Sequence, residues 1–313
     1  MRSPVLLIVF NRPEKTAAVM ERLRAARPPK LYVAADGPRP SRAGEAERCA
    51  AVRSIATGVD WPCDVHTLFR DANLGCKHGV AGAIDWFFAH EPEGIILEDD
   101  ILPTPDFFAF CDDQLERHRD DPQVGMIGGI NLVASHLPAD GASWGYTGYP
   151  QIWGWASWRR AWAHFDVALS NWPAVLPAFR AGFGRRQLAA DMFIDRLGQV
   201  ASGSLDTWDY QWVLACRLAG MSCVLPSVSL VENIGFDAEA THTIGEAPAA
   251  VRAQRPAPLA FPLTPPQGRD TDTLDRLLER HSFDLTAATW LRLQIRKRPW
   301  LARPLKRLRA AMA

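Results

Sequence analysis

Short apolar runs alternate with segments of helical spacing over the first 131 residues of the chain. The runs at 5–10 and 94–97 are continuously apolar, which is typical of strands buried on both faces of a parallel sheet. Between them, apolar residues recur three or four positions apart, and this spacing predicts a helix that Asn11 caps and that ends near Ala26. The alternation predicts an α/β fold with a Rossmann-like, mixed but mostly parallel sheet flanked by helices.

Polar side chains follow these predicted strands. Arg12 comes directly after the first strand, Asp36 after the second and Asn73 after the third. Asn73 is expected to cap the next helix, where Lys77 and nearby glycines suit an anion at the positive helix end. Because ligands of parallel sheets bind beyond the carboxyl ends of the strands, these residues predict a phosphate or hydroxyl site. An ordinary glycine-bearing loop with a cap is the alternative.

Three carboxylates in a row, Glu98, Asp99 and Asp100, end the run at 94–97. Such neighbours repel one another, so we expect a divalent cation or strong hydrogen-bond donors to offset their charge. Strand alternation points Glu98 and Asp100 to one face and Asp99 to the other. Two prolines follow and are expected to stop the strand. A solvated acidic turn is the alternative interpretation.

Tryptophan becomes frequent from residue 144 onward, and six of the twelve tryptophans lie between 144 and 172. A tryptophan ring suits the apolar face of a sugar, but it also fills a protein core. Gly154 and Trp155 are the more specific pair, because a glycine between two tryptophans lets a ligand approach the backbone. The spacing from 158 to 168 also predicts an amphipathic helix.

Two later segments carry candidate chemistry. Asp206 and Asp209 open a predicted helix, where an acid acts either as a cap or as a general base. His242 lies in a polar, glycine-bearing loop far from any apolar stripe, which makes it a candidate ligand of a metal or a phosphate.

Charge and composition exclude several classes of protein. The chain of 313 residues balances 35 basic against 35 acidic side chains, so nothing in the overall charge indicates a nucleic-acid partner. The apolar run at 5–10 is too short for a signal peptide, and no stretch approaches the ~20 apolar residues of a membrane span. Six scattered cysteines indicate reduced thiols rather than a disulfide framework. We therefore expect a cytoplasmic protein, either soluble or peripheral on the inner face of the cytoplasmic membrane.

The last part of the chain differs from the rest. Prolines concentrate at 246–269, which predicts an extended wrapping segment. The tail at 290–313 mixes arginine and lysine with tryptophan and leucine and contains no acid. This pattern favours a helix on an anionic membrane surface, and the alternatives are a solvated tail or a helix docked on the body.

Taken together, several segments resemble the glycosyltransferases of the GT-A fold, and more narrowly the group of N-acetylglucosaminyltransferase I and its bacterial relatives. The matching segments are 4–13, Glu98-Asp99-Asp100 with 105–108, Gly154-Trp155, and Trp208-Asp209 with Trp212. The resemblance covers about the first 245 residues. It implies a glycosyltransferase domain at 1–245, with a nucleotide-binding half at 1–131 and an acceptor half at 132–245, followed by the appendage at 246–313.

The resemblance also implies roles for these residues. Arg12 and Asp36 would hold the nucleotide base, Asp99 the ribose and Glu98 the donor sugar, and Gly154 and Trp155 would also belong to the donor site. Asn73 and Lys77, which the turn before the third predicted helix suggests independently, are the other donor-site candidates. Asp100, with His242, would hold Mn²⁺ or Mg²⁺, whose preference for oxygen ligands suits a diphosphate. Asp209 would be the general base of an inverting transfer from a UDP-sugar to a glycan or glycolipid hydroxyl.

Two other functions remain open on the residues alone. A sugar nucleotidyltransferase would also place acids at a strand end, although the segment 5–13 lacks the glycine-rich basic loop that such an enzyme needs. A non-catalytic, membrane-associated binding protein that retains the fold is the other alternative.

Overall fold

The computed structural model describes residues 1–138, 141–236, 255–286 and 288–291. The strands of the described residues are β1 Val5–Val9, β2 Lys30–Ala35, β3 Asp64–Phe69, β4 Glu93–Glu98, β5 Ile101–Pro103, β6 Val124–Gly128, β7 Trp144–Thr147, β8 Trp155–Trp158, β9 Ser222–Pro226 and β10 Val231–Asn233. The helices are α1 Pro13–Ala26, α2 Glu45–Thr57, α3 Gly75–His90, α4 Pro105–Arg117, α5 Arg159–Trp162, α6 Leu176–Ala181, α7 Gln187–Ala201, α8 Asp209–Leu218 and α9 Asp272–His281, with a short 3-10 turn at Ala134–His136.

The main sheet has eight strands in the order β3-β2-β1-β4-β8-β6-β9-β7 among the residues the structure describes. β3, β2, β1 and β4 run parallel, as do β6 and β9. β8 lies antiparallel between β4 and β6, and β7 lies antiparallel on β9 at the edge. This arrangement confirms the predicted mixed, mostly parallel sheet.

Both faces of the sheet are buried at the central strands β1 and β4, which explains their continuous apolar runs, whereas the edge strand β3 is largely exposed. In β1, Val5, Leu7 and Val9 pack on one face with side chains of α1, α2 and α4. Leu6 packs on the other face with side chains of α3 and α8. A strand covered by helices on both sides needs apolar residues at every position, so β1 and β4 carry no polar alternation.

The prolines that follow the three acids do not exclude strand structure from this segment. After a turn it forms β5, which contains Pro103 and pairs antiparallel with β10 in a separate two-stranded ribbon. Proline is tolerated there because such a short ribbon has free edges where a missing backbone N–H is not needed. The predicted strand at 228–231 is displaced accordingly, since the observed strand is Val231–Asn233.

Two predicted helix caps are wrong. α1 begins at Pro13 with Arg12 at the cap position, and Asn11 instead donates its Nδ2 to Glu45 Oε1 at 2.9 Å. α3 begins at Gly75, and Asn73 donates its Nδ2 to the carbonyl of Gly37 at 3.0 Å. In both cases the amide joins two loops, which is a tertiary contact that a local capping pattern does not reveal.

The predicted helix at 158–168 is also too long, because α5 ends at Trp162. Trp162 and Phe165 stack at 4.1 Å between ring centroids, and Trp162 donates its indole N–H to Asp85. Tertiary packing of these large rings therefore fixes the segment without continuing the helical backbone.

α9 lies within the predicted appendage and packs against the edge strand β7. Asp275 of α9 is 1% exposed and accepts hydrogen bonds from Thr147 Oγ1 at 2.6 Å and Gly148 N at 2.8 Å. Residues from 292 onward, and thus most of the predicted basic tail, lie outside the described residues. None of the described helices is long and apolar enough to cross a membrane.

Candidate active site at the carboxyl ends of the strands

A cavity of about 510 Å³ lies beyond the carboxyl ends of β1, β2 and β4. Its size falls within the usual range for small-molecule sites. The side chains that line it include Phe10, Arg12, Asp36, Arg39, Arg70, Asn73, Glu98, Asp99, Asp100, Trp153, Asp206, Thr207, Asp209 and Asn233. The cavity therefore unites most of the polar residues that the sequence placed at strand ends.

Arg12 resolves the repulsion between two of the three consecutive acids. Its guanidinium donates from Nη1 to Asp100 Oδ2 at 3.0 Å and from Nη2 to Asp99 Oδ1. The predicted alternation of faces is wrong at this point, because the chain turns after Glu98 and both aspartates meet one cation. Although burial lowers the pKa of Arg12, Asp99 and Asp100 raise it above its ordinary value, so the guanidinium stays charged.

Glu98 ends β4 and projects into the same cavity. Burial raises its pKa to about 8, and the negative charges of Asp100 and Asp99 add to that effect. Arg12 acts in the opposite direction without cancelling it. Arg12 thus contacts the other two acids of the triplet directly, whereas the pKa of Glu98 stays raised.

Asp36 lines the cavity and also anchors the start of α3. Its carboxylate accepts the backbone N–H of Leu74 at 2.9 Å, of Gly75 at 3.2 Å and of Gly37 at 3.1 Å. Burial raises the pKa of Asp36, although these N–H groups lower it. Asp36 therefore replaces the missing Asn73 cap, since an acid near a helix N-terminus satisfies its unpaired donors.

The start of α8 forms another wall of the cavity, with Asp206, Thr207 and Asp209. Thr207 Oγ1 donates to Asp209 Oδ1. Trp208, between them, is 2% exposed and stacks on Trp155 at 5.8 Å with an angle of 21° between the rings. This buried stack fixes the backbone that carries Asp209 into the cavity.

Of the two tryptophans that flank Gly154, the structure places Trp153 at the cavity and Trp155, the predicted donor-site residue, in the core. Trp155 is 1% exposed and belongs to the core, whereas Trp153 lines the cavity and contacts Phe236 edge to face at 5.5 Å. Gly154 has a φ of 62°, and a Cβ there would approach Val231 at 2.9 Å. This position therefore requires a glycine because of its backbone conformation and its packing against the β5–β10 ribbon.

Lys77 and His242 are the remaining predicted site residues. Lys77 lies on α3 but is not among the residues that line the cavity in the described part of the chain. His242 lies outside the described residues.

The predicted metal site can be tested on the donor atoms near Asp100. Within the described ranges, no group of three or more histidine, cysteine or acidic side chains is arranged to hold a metal ion. However, a Cβ on Gly235 would clash with Asp100 Oδ2 and lie 3.0 Å from Asn233 Oδ1. One carboxylate and one carboxamide oxygen thus lie beside the same glycine, where Asp100 Oδ2 also accepts Arg12 Nη1 at 3.0 Å and Asn233 Oδ1 accepts the Gly235 N–H at 2.7 Å. Their remaining lone pairs suit a hard cation whose other ligands would come from a bound diphosphate and water.

Sequence reasoning missed Trp153, Arg39 and Asn233. Trp153 belongs to the same Trp-Gly-Trp motif as Trp155, and only the tertiary structure shows which of the two tryptophans lines the cavity. Asn233 ends a strand of three residues whose pairing with β5 brings it beside the acids. No local signal in the sequence indicates either placement.

Comparison with known proteins adds little to this geometry. No family model matches the chain, and no curated protein matches it. Solved structures that match include HddC from Yersinia pseudotuberculosis, with 11% identity and a TM-score of 0.27 over 40% of this chain and 56% of that one. Mouse xyloside xylosyltransferase 1 matches with 10% identity and a TM-score of 0.32, over 69% and 81%. A UDP-glucose pyrophosphorylase complexed with UDP-glucose matches with 8% identity and a TM-score of 0.35, over 72% and 90%.

The chain spans little more than half the length of HddC. At TM-scores of 0.35 and below, these likenesses carry no argument about activity. The function has to be inferred from the chain's own residues.

Proposed function

We propose that this chain is a metal-assisted, inverting glycosyltransferase of the GT-A type. It would move a sugar from a nucleotide-diphosphate donor, a UDP-sugar, to a hydroxyl of a glycan or glycolipid. The observation that supports this proposal is the single cavity that unites Arg12, Asp36 and the Glu98–Asp100 triplet with Asp209 at the start of α8. Donor-holding groups and a candidate base thereby share one space.

Asp209 is the candidate base. Its carboxylate would accept the proton of the acceptor hydroxyl while that oxygen forms a bond to the anomeric carbon and the bond from this carbon to the diphosphate oxygen breaks. The pair of electrons leaves with the nucleoside diphosphate, and attack from the opposite side inverts the anomeric centre. The hydrogen bond from Thr207 orients one oxygen of Asp209 and lowers its freedom to rotate.

Glu98 and the aspartate pair serve the donor in this proposal. Burial raises the pKa of Glu98 to about 8, and its carboxyl group would form hydrogen bonds with sugar hydroxyls. Asp99 would hold the ribose. Asp100 and Asn233 supply the oxygen ligands beside Gly235, and a bound Mn²⁺ or Mg²⁺ there would neutralise the charge that develops on the diphosphate.

The arginines that line the cavity argue against the nucleotidyltransferase alternative. That reaction attacks a phosphorus atom and needs free cations around the triphosphate. In the described cavity, Arg12 is paired with two aspartates and Arg39 with Glu45, while Arg70 donates to the carbonyl of Gly79 at 3.0 Å. These engaged arginines favour a sugar donor over a triphosphate.

The decisive experiment measures release of nucleoside diphosphate from a panel of nucleotide-sugars, with and without Mn²⁺. Wild-type protein should hydrolyse one donor slowly and in a metal-dependent way, and Asp100→Ala should remove the metal dependence. With an acceptor present, Asp209→Asn should lower transfer by about 10²- to 10⁴-fold while donor binding is retained. Absence of both nucleotide-sugar binding and hydrolysis in the wild type would rule out the proposal.

A further inference from the structure

Phe10, Arg39 and Glu45 form a contact cluster beside the cavity. Phe10 follows β1 and Arg39 follows β2, and both line the cavity. The guanidinium carbon of Arg39 lies over the Phe10 ring, 5.4 Å from its centroid. A planar cation over an aromatic ring is a surface on which another planar group can stack.

Glu45 fixes Arg39 in this position. Its carboxylate accepts Arg39 Nε at 2.9 Å, the Arg39 backbone N–H at 2.7 Å and Asn11 Nδ2 at 2.9 Å, with a further bond from Arg39 Nη2. Glu45 is 0% exposed, and these hydrogen bonds, those of Arg39 above all, lower its pKa to about 2. A buried carboxylate thus ties the β1–α1 turn to the β2–α2 loop.

The contacts leave Arg39 with little capacity to pair with a phosphate. One edge of the guanidinium is occupied by Glu45, and one face lies on Phe10. The side chain is nevertheless 39% exposed. With these contacts in place, the exposed part of Arg39 is better suited to stacking on a planar group than to binding a phosphate, because Glu45 already offsets the charge that a phosphate would need.

The position in the sheet matches the base end of a nucleotide. Asp100 follows β4, and Arg39 follows β2, with β1 between them. Since neighbouring strands lie about 4.8 Å apart, the ends of β2 and β4 are separated by roughly 10 Å. A nucleoside spans a comparable distance between its diphosphate and its base. Arg12 and Asp36, the residues expected to hold the base, are meanwhile engaged by Asp99, Asp100 and backbone amides.

We propose that Phe10 and Arg39 form the stacking surface for the base of the donor nucleotide, and that Glu45 is the residue that positions Arg39. This inference rests on the proposed function, because it requires a nucleotide donor. It moves base recognition from the Arg12–Asp36 pair to the Arg39 face, while Arg12 holds the two aspartates.

The test separates base binding from diphosphate binding. UDP, GDP, CDP and dTDP are titrated into the full chain in the presence of Mn²⁺, and the tightest of them is compared with inorganic pyrophosphate, which has no base. Arg39→Lys keeps the charge and an ion pair with Glu45 but removes the planar face. We expect it to weaken the nucleotide about tenfold and to leave pyrophosphate unchanged, in line with the usual strength of base stacking.

Two further variants complete the design. Glu45→Gln keeps the volume of the side chain and should weaken nucleotide binding in the same base-specific way, which a purely structural role would not do. Arg42→Lys, an exposed residue of the same loop, is the matched control and should bind like the wild type.

The possible binding results distinguish failure of the stacking surface from failure of the proposed function. Equal nucleotide affinity in Arg39→Lys and wild type overturns the stacking surface alone, and so does an equal loss for nucleotide and pyrophosphate, which would make Arg39 a phosphate ligand. If wild-type protein binds none of the four nucleotides, the stacking surface and the proposed function fail together.

Discussion

Replacement of Arg12 by methionine tests how the consecutive acids are stabilised. The Arg12 side chain is 14% exposed, and its partners Asp99 and Asp100 are 3% and 16% exposed. Removal of one member of such a buried pair leaves uncompensated charge and typically costs about 3–5 kcal/mol. For a chain of 313 residues, whose unfolding entropy is about 0.66 kcal/mol/K, we expect the midpoint of thermal unfolding to fall by about 5–8 °C.

The matched control is Arg24→Met. Arg24 pairs with Asp60 through Nε at 3.0 Å, but the two side chains are 49% and 62% exposed. Exposed pairs of this kind contribute less than about 1 kcal/mol. The two variants thus remove the same type of group and differ chiefly in burial.

A double-mutant cycle identifies the partner. Urea unfolding of Arg12→Met, Asp100→Asn and the double variant should give a coupling free energy of about 0.5–3 kcal/mol, because the neutral amide removes the charge that Arg12 offsets. If Asp100 also binds Mn²⁺, the metal should stabilise Arg12→Met more than wild type, and this gain should vanish in the double variant. The reasoning is refuted if Arg12→Met loses no more stability than Arg24→Met, or if the cycle is additive.

Three other predictions concern stability and attachment. The pKa of Glu45 in the folded protein, about 2, lies below the ordinary unfolded value of about 4.3. The ionised carboxylate therefore stabilises the folded state above pH ~4.3, and this contribution is lost as the pH falls toward 2. The urea midpoints of wild type and Glu45→Gln should accordingly converge on acidification. Asp275→Ala should destabilise the docking of α9 by about 3–5 kcal/mol and expose 255–271 to limited proteolysis, whereas Arg276→Ala, 75% exposed, should change little. Removal of 292–313 should abolish sedimentation with vesicles rich in anionic lipid, and equal sedimentation of the truncated chain would contradict a membrane-binding tail.

The parallel half of the sheet could be predicted from the sequence because its signal is local. Continuous apolar runs at β1 and β4 require burial on both faces, and this requirement does not depend on the sequence of the rest of the chain. The carboxyl ends of such strands meet at one edge, so the convergence of Arg12, Asp36 and the acids followed from topology alone. The β5–β10 ribbon was not predictable in this way, since its partners lie more than a hundred residues apart and span three residues each.

The site shows the same division between local and tertiary information. The presence of acids at 98–100 was evident, but their partner was not, because nothing local distinguishes Arg12 as their cation from Arg12 as a ligand of the base. Asn73 and Asp36 exchange roles for a similar reason: both are good helix caps, and only the close approach of the loop at 71–72 to Gly37 decides which of them reaches the amides of α3.

The engagement of Arg12, Asp36 and Arg39 within the protein changes how the cavity would bind a donor. Each of these polar groups already has an intramolecular partner, so the site is held in place before a ligand arrives and little ordering is required on binding. As a consequence, Arg12 and Arg39 are already paired and are less able to bind the diphosphate of a donor. In the proposed function, a divalent ion carried with the donor and held on Asp100 would supply that missing charge, a role for which an acid at the end of β4 is suited and an arginine is not.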